Sequence, residues 1–321
     1  MIVSMKRNLI FYALVLMVCG TLSSIACAKD NPSVKQPAVS QPKTEGFTAE
    51  YVCSLIKPEN KNWWTQGMDI YKDYLVNCRN QGYAYVYKFD GKNVEKLGEF
   101  RLESYDVDNH ANVASFGKQF YDKNDPMPLL YVSQAAKNPW KGYKDVLLVE
   151  RIAPDFASSK LVQVIYYEDK NKDFDYALQW VVDDTGKYLY AYGNTTRDKD
   201  IEGNKHRIAK FRMPSLADSN ADGMVILHPE DALENYTIED CGYKFATIGQ
   251  GLYVRKGKLY MPVGAGSEKY PSYLYVWNLK KRCMEVAADL NSSGMGEPED
   301  MSWHKGTFII SAVNGLYSIG L

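Results

Sequence analysis

The chain has 321 residues, 45% hydrophobic and 24% charged, the composition of a globular protein with enough material for a sizeable core. Its 38 basic and 39 acidic residues leave a net charge of -1, which excludes the basic field that nucleic-acid binding needs. The excess of tyrosine, 25 residues within a 13% aromatic total, suits pleated sheets, where planar side chains pack across strands.

At the N-terminus, Lys6 and Arg7 precede a short apolar run, Leu9 to Val18, and then small residues up to Cys27. A charged start, short apolar core and small-residue exit describe a secretory signal; a spanning helix needs about 20 apolar residues. Ser24, Ile25, Ala26 and Cys27 resemble a bacterial lipobox, with Ser24 in place of the usual aliphatic residue. That resemblance implies lipidation of Cys27; ordinary cleavage near Ala26 or Ala28 is the other reading. Residues 1–27 are thus expected to be a signal peptide, and 28–46, rich in Pro, Ser, Gln and Lys, a flexible tether. Residues 47–321 form the folded domain. The expected location is the bacterial cell envelope, periplasmic or surface, with a lipid anchor as the sole membrane attachment. The remaining cysteines, Cys53, Cys78, Cys241 and Cys283, show neither C-x-x-C nor metal-ligand spacing and read as small buried hydrophobes.

From Phe47 onward the chain is a succession of strand-sized apolar runs separated by turn residues, without a sustained helical period. Five stretches can be laid over one another, starting at Gln66, Asn112, Gln179, Gln250 and Glu299. Each is an amide or acid, a short apolar strand, a polar turn and a second apolar strand, as in Q-G-L-Y-V-R-K-G-K-L-Y from Gln250. A supersecondary unit recurring at intervals of roughly 45–70 residues, unable to bury its faces alone, predicts a radial repeat fold. Unit one takes Gly67 to Leu102, with a hairpin turn at Asp90-Gly91; unit two runs from Val113 to Tyr167. Unit three takes Leu178 to Val182, Tyr188 to Tyr192, His206 to Met213 and Met224 to His228; unit four runs from Gly251 to Ala288. Unit five, Met301 to Gly320, stops one strand short, and Phe47 to Ile56 supplies the missing strand if it pairs beside Leu316 to Ile319. The expectation is an all-β, five-bladed β-propeller closed by joining the two ends of the chain. Six blades is the alternative, should Asn235 to Ile238 hide extra strands.

Equivalent residues of the innermost strands converge on a propeller axis. The five repeat leaders therefore form a ring of four amides, Gln66, Asn112, Gln179 and Gln250, and one carboxylate, Glu299. Segments entering those strands add Trp63, Trp64, Tyr105, His110, Phe174, Tyr176, Tyr243 and Glu297. Flat apolar faces beside short hydrogen-bonding groups suit a polar ligand of modest size, and a glycan best. Filling a wet channel with amides is the structural alternative. Asp218, Asn220, Asp222 and Gly223 follow D-x-N-x-D-G, and Asp169, Asn171, Asp173 and Asp175 follow D-x-N-x-D-x-D. Alternate oxygen ligands suit calcium, yet Trp180 and Pro229 stand where a bidentate acid belongs, and the same residues are standard turn formers.

Gln66-Gly67-Met68, His110-Ala111-Asn112 and Gly296-Glu297-Pro298-Glu299 resemble short signatures of secreted bacterial five-bladed propellers of the helveticin J and teichoic-acid-biosynthesis-protein-C type. The resemblance covers these three strand starts and the repeat count. It implies functional residues clustered at the channel, here Gln66, His110, Asn112 and Glu299. The insertions in units two and three and the tether depart from that pattern. Three readings follow: a binder of a glycan or other polar ligand at the mouth, an enzyme on such a ligand with Glu299 and His110 as acid–base candidates, and a scaffold for a protein partner. Hydrolysis of a glycosidic bond needs two facing carboxyl groups, and only Glu299, with Glu297, Asp300 or Asp69, stands near the axis.

Overall fold

The computed structural model describes residues 41–55, 64–106, 108–134, 139–196, 204–239 and 249–321. The unit spanning Ala38–Leu321 is all-β, with five small sheets arranged as a five-bladed propeller.

Blade one is a four-stranded meander: β2 (Thr65–Tyr71), β3 (Tyr74–Arg79), β4 (Tyr83–Phe89) and β5 (Val94–Arg101). Blade two holds β6 (Val113–Phe116), β7 (Leu130–Ser133), β8 (Leu147–Ile152) and β9 (Ser159–Tyr167). Blade three has β10 (Tyr176–Val182), β11 (Tyr188–Asn194), β12 (His206–Arg212) and, outermost, β14 (Glu234–Thr237). Blade four has β15 (Tyr253–Arg255), β16 (Lys258–Val263), β17 (Tyr273–Asn278) and β18 (Cys283–Asp289). Blade five has β19 (Pro298–His304), β20 (Thr307–Ala312) and β21 (Gly315–Gly320), completed by β1 (Thr48–Cys53), which pairs antiparallel with β21 from Thr48↔Gly320 to Cys53↔Leu316. The ends of the chain close the ring as the missing fifth-blade strand required.

One strand differs from expectation. Residues 224–227, expected at the edge of blade three, form β13 (Met224–Leu227), which adds in parallel to β9 at the edge of blade two. The fourth strand of blade three is β14, from the segment whose hidden strand would have argued for six blades. Met224–Leu227 (M-V-I-L) is the more apolar and the nearer to β12, whereas Glu234–Thr237 (E-N-Y-T) is polar and farther, so local pattern favours the wrong strand. Parallel pairing needs a crossover, and the connection from β12 through 213–223 supplies it.

The inner strands read as almost continuously buried, Thr65–Tyr71 and Pro298–His304 among them. A neighbouring blade covers each of their faces, which removes the alternation expected of a half-exposed strand. Five apolar clusters fill the five seams. Trp180, Tyr167 and Phe211 lie between blades two and three, and Trp277, Val254 and Tyr192 between three and four. Val76, Phe116 and Val132 fill the seam between one and two, Leu274, Phe308 and Met301 that between four and five, and Met68, Leu75 and Ile309 the closing seam. Trp180 and Trp277, the largest fully buried side chains, each find an acceptor: Trp180 Nε1 donates to the Asp145 carbonyl at 2.8 Å and Trp277 Nε1 to Tyr236 Oη at 3.1 Å.

The glycines after two repeat leaders have a steric cause. A Cβ on Gly67 would lie 2.6 Å from the Ala111 carbonyl oxygen, and one on Gly251 would lie 2.3 Å from Asp300 Oδ1. Asp300 is the equivalent residue of blade five, and its carboxylate sits in the space that Gly251 leaves, while Gly67 lets blade one approach the 111–114 backbone of blade two. There Oδ2 accepts the backbone N–H of Met68 at 2.8 Å and of Ala114 at 3.0 Å, while Oδ1 accepts those of Leu252 at 3.2 Å and Met301 at 2.9 Å. One fully buried side chain thus ties blades one, two, four and five. Burial raises its pKa and the backbone N–H groups oppose that; because all four partners are donors, the ionised form is the one this cradle holds. Blade three is tied by hydroxyls of blade two, with Trp180 N donating to Ser133 Oγ at 3.2 Å and Val182 N to Ser115 Oγ at 3.1 Å.

Replacing Asp300 by Asn turns an NH2 group toward two N–H donors. The expected cost in urea-unfolding free energy is about 3–5 kcal/mol, the range for breaking a buried charge network. A cost below about 1 kcal/mol would mean that the axis does not depend on this carboxylate.

Candidate functional site

The inner strands all begin at one end of the axis, and there the structure brings the repeat leaders together. Gln66 lies in β2, Asn112 directly ahead of β6, Gln179 in β10, Gln250 ahead of β15, and Glu299 in β19. All are buried except Asn112, which is half-buried. The side-chain amide of Gln179 donates to the Gln250 carbonyl at 2.7 Å, and Asn112 Nδ2 reaches the same oxygen at 3.5 Å. Gln250 Nε2 in turn donates to the Gly264 carbonyl at 2.8 Å and to Glu297 Oε1 at 2.6 Å. Leaders of blades two, three and four and the acid from the loop ahead of blade five are therefore one hydrogen-bonded frame.

Gln66 and Glu299 stand outside that frame. Neither side chain has a hydrogen-bond partner among the described residues, although Glu299 is only 3% exposed. Burial pushes the Glu299 carboxyl well above the usual range, Glu297 and Asp300 push it further, and only Arg79 acts in the opposite sense. Its surroundings thus favour the neutral carboxyl over the carboxylate.

Several buried polar atoms at this end also lack protein partners: Asn109 Nδ2, Asn112 Oδ1, both polar atoms of the Gln134 amide, Gln179 Oε1 and Asn194 Nδ2. Asn109 Oδ1 is spent on the Ala111 N–H at 2.8 Å. Buried polar groups are ordinarily paired, so such a concentration marks a place built to hydrogen-bond something. Arg79, Gln134 and Asn194 were missed from sequence. A signal existed, since each closes or follows the second strand of its unit, where an apolar run ends on a polar residue that returns to the same face as the leader.

Of the aromatic candidates, Trp64 stands at the start of blade one and is 56% exposed. Tyr176 is also exposed, whereas Phe174 packs into the seam between blades two and three. Tyr105 meets Tyr83 edge-on and lies under the Arg101 guanidinium. His110 is exposed two residues before Asn112. Trp63, Tyr243, Cys241 and Cys27 lie outside the described residues.

The D-x-N-x-D-G loop uses its side chains within its own turn. Asp218 accepts from Ser215 N at 2.7 Å and Ser215 Oγ at 2.9 Å, and Asn220 Oδ1 accepts from Asp222 N and Met224 N. In the other loop Asp169 accepts from Asp173 N and Phe174 N. Among the described residues no group of three His, Cys, Asp or Glu side chains converges as a metal site. Nor is any described helix long and apolar enough to cross a membrane.

One layer down the axis, Asp69 Oδ2 accepts from Phe116 N at 2.6 Å, and Oδ1 lies 2.5 Å from Ser302 Oγ and 2.8 Å from Ile70 N. Burial raises its pKa to about 6 against those hydrogen bonds.

No protein-family model matches this chain, and no curated relative matches it. Among solved structures it is similar to the crystal structure of Myxococcus xanthus glutaminyl cyclase, at 9% identity and a TM-score of 0.47, over 87% of this chain and 98% of that one. The blades described above define the fold independently of this likeness.

Because Asp69 ionises at about pH 6 when folded and near 3.8 when unfolded, the unfolded chain releases this proton first as pH rises. Its contribution is fully present below about pH 4 and is lost as pH rises through 6. Asp69→Asn keeps an acceptor for Phe116 N and a donor for Ser302 Oγ but cannot ionise. Between pH 4 and pH 7, chemical denaturation should move the difference between the two proteins by about 3 kcal/mol in the variant's favour; parallel pH profiles would contradict the raised value.

Proposed function

We propose that this protein is an exported, lipid-anchored envelope protein that binds a glycan or another polar ligand at the propeller mouth. The observation that carries the reading is the accumulation, at one end of the axis, of buried amide and carboxyl groups whose hydrogen bonds the protein does not use. Ligand pockets combine a few fixed polar groups with apolar faces, and the exposed Trp64 beside Gln66 supplies such a face. Cys27 and the Pro/Ser-rich stretch after it support the anchored location.

A second reading is favoured by one observation, the proximity of Glu299, whose carboxyl burial pushes well above the usual range, to Glu297. Two neighbouring carboxyl groups, one of them in surroundings that favour its neutral form, are what acid–base chemistry on a glycan requires. His110, exposed at the start of blade two, is a further acid–base candidate on that reading.

Glycan-array binding by the purified protein, with calcium and with chelator, tests the first reading. Binding is expected, with losses of about tenfold or more in Gln66→Ala and Trp64→Ala. Chelator should leave it unchanged, given how Asp218 and Asn220 are engaged. On the enzyme reading, any glycan bound is also turned over, and Glu299→Gln lowers the rate by about a hundredfold or more.

A further inference from the structure

The ring of leaders is divided. Asn112 Nδ2 and Gln179 Nε2 both donate to the Gln250 carbonyl and Gln250 Nε2 holds Glu297, so the amide nitrogens of these three leaders are committed to the frame. Gln66 of blade one and Glu299 of blade five are adjacent across the closing seam, and both are uncommitted among the described residues. Trp64, two residues ahead of Gln66, is the exposed aromatic on the same side.

Charge narrows what that side can accept. The charged groups facing Glu299 are Glu297 from the loop ahead of β19, Asp300 on its own strand, and Arg79 from the end of β3. Both Asp300 oxygens are filled by backbone donors, and Glu297 is held by Gln250. An anionic ligand would meet two carboxyl groups against one guanidinium in a poorly solvated place, which is costly. An uncharged ligand with hydroxyl or amide oxygens meets no such cost. With no basic group or backbone N–H bonded to its carboxyl among the described residues, Glu299 can offer such a ligand an O–H donor, and the Gln66 amide offers both a donor and an acceptor.

We propose that the ligand is an uncharged, polyhydroxylated ring compound of the neutral-pyranose class, seated between blades five and one. Glu299 donates a hydrogen bond to one of its oxygens, Gln66 holds a neighbouring hydroxyl, and Trp64 covers its face. Asn112, Gln179 and Gln250 position the site through their amide nitrogens. This rests on the mouth being a polar-ligand site, the reading given above.

The test is isothermal titration calorimetry of the purified protein with neutral oligosaccharides and with the matching uronic-acid-bearing oligosaccharides, from pH 5 to pH 9. Neutral sugars are expected to bind and their acidic counterparts at least tenfold more weakly. Any change of affinity with pH should be a fall toward high pH, because ionisation of Glu299 removes the donor. Glu299→Gln keeps a donor, so affinity stays within about threefold of wild type at pH 6 and does not vary with pH. Gln66→Ala, on another blade, loses about tenfold at every pH. Preferential binding of the acidic sugars, or loss of binding in Glu299→Gln with its circular dichroism and melting unchanged, overturns the neutral-donor assignment and leaves the mouth as a ligand site. Absence of binding across both sets, with wild type folded, overturns the mouth reading and this one together.

Discussion

The architecture depends on how the Asp300 carboxylate meets four backbone N–H groups at the centre of the ring. Blades packed around an axis bury the starts of their inner strands, where the first N–H groups have no neighbouring strand to pair with. Such groups are costly to leave unpaired. A carboxylate has enough lone pairs to serve several blades at once, whereas an amide or hydroxyl serves one or two. Gly251 leaves room for it, Gly67 lets blades one and two close on each other, and Ser115, Ser133 and Ser302 make further blade-to-blade bonds beside it. Below it Asp69 repeats the device between blades one, two and five.

Once that layer is fixed, the residues just above it have fixed positions too. Each leader sits one residue before the layer, so Gln66 and Glu299 come together through the register that Asp300 sets, and Gln179 through that set by Ser133 and Ser115. The frame around Gln250 then takes up the amide nitrogens of three leaders and leaves the side chains of the other two unbonded among the described residues. The uneven use of the ring follows from one blade's geometry: Gln250 presents its carbonyl toward blades two and three and its side chain toward blade five. The unspent groups accordingly gather where the ring is closed by the N-terminal strand.

The swap of β13 onto blade two shows what a repeat pattern leaves undetermined. Two strand-sized segments follow β12, the nearer apolar and the farther polar. The nearer one lies parallel on β9, with Met224 opposite Val164 and Leu227 opposite Tyr167, and the farther one takes the antiparallel place on β12. Val225 and Leu227 join the core between blades two and three. The insertion thus acts as a strap across one seam.

Sequence by itself determined the blade count, the pairing of the chain's two ends and the identity of the five leaders. Those depend on local alternation and on a repeating turn, which neighbouring residues encode. Lys256-Gly257 and Lys305-Gly306, both at positive φ, are such a turn repeated in two blades. Tertiary structure decided which leaders remain free, why glycine follows Gln66 and Gln250, that Arg79, Gln134 and Asn194 share the mouth, and that Phe174 leaves it for the core. Each of these turns on distances between residues as far apart in sequence as Met68 and Asp300. Such contacts exist only after the ring has closed, and no local pattern records them.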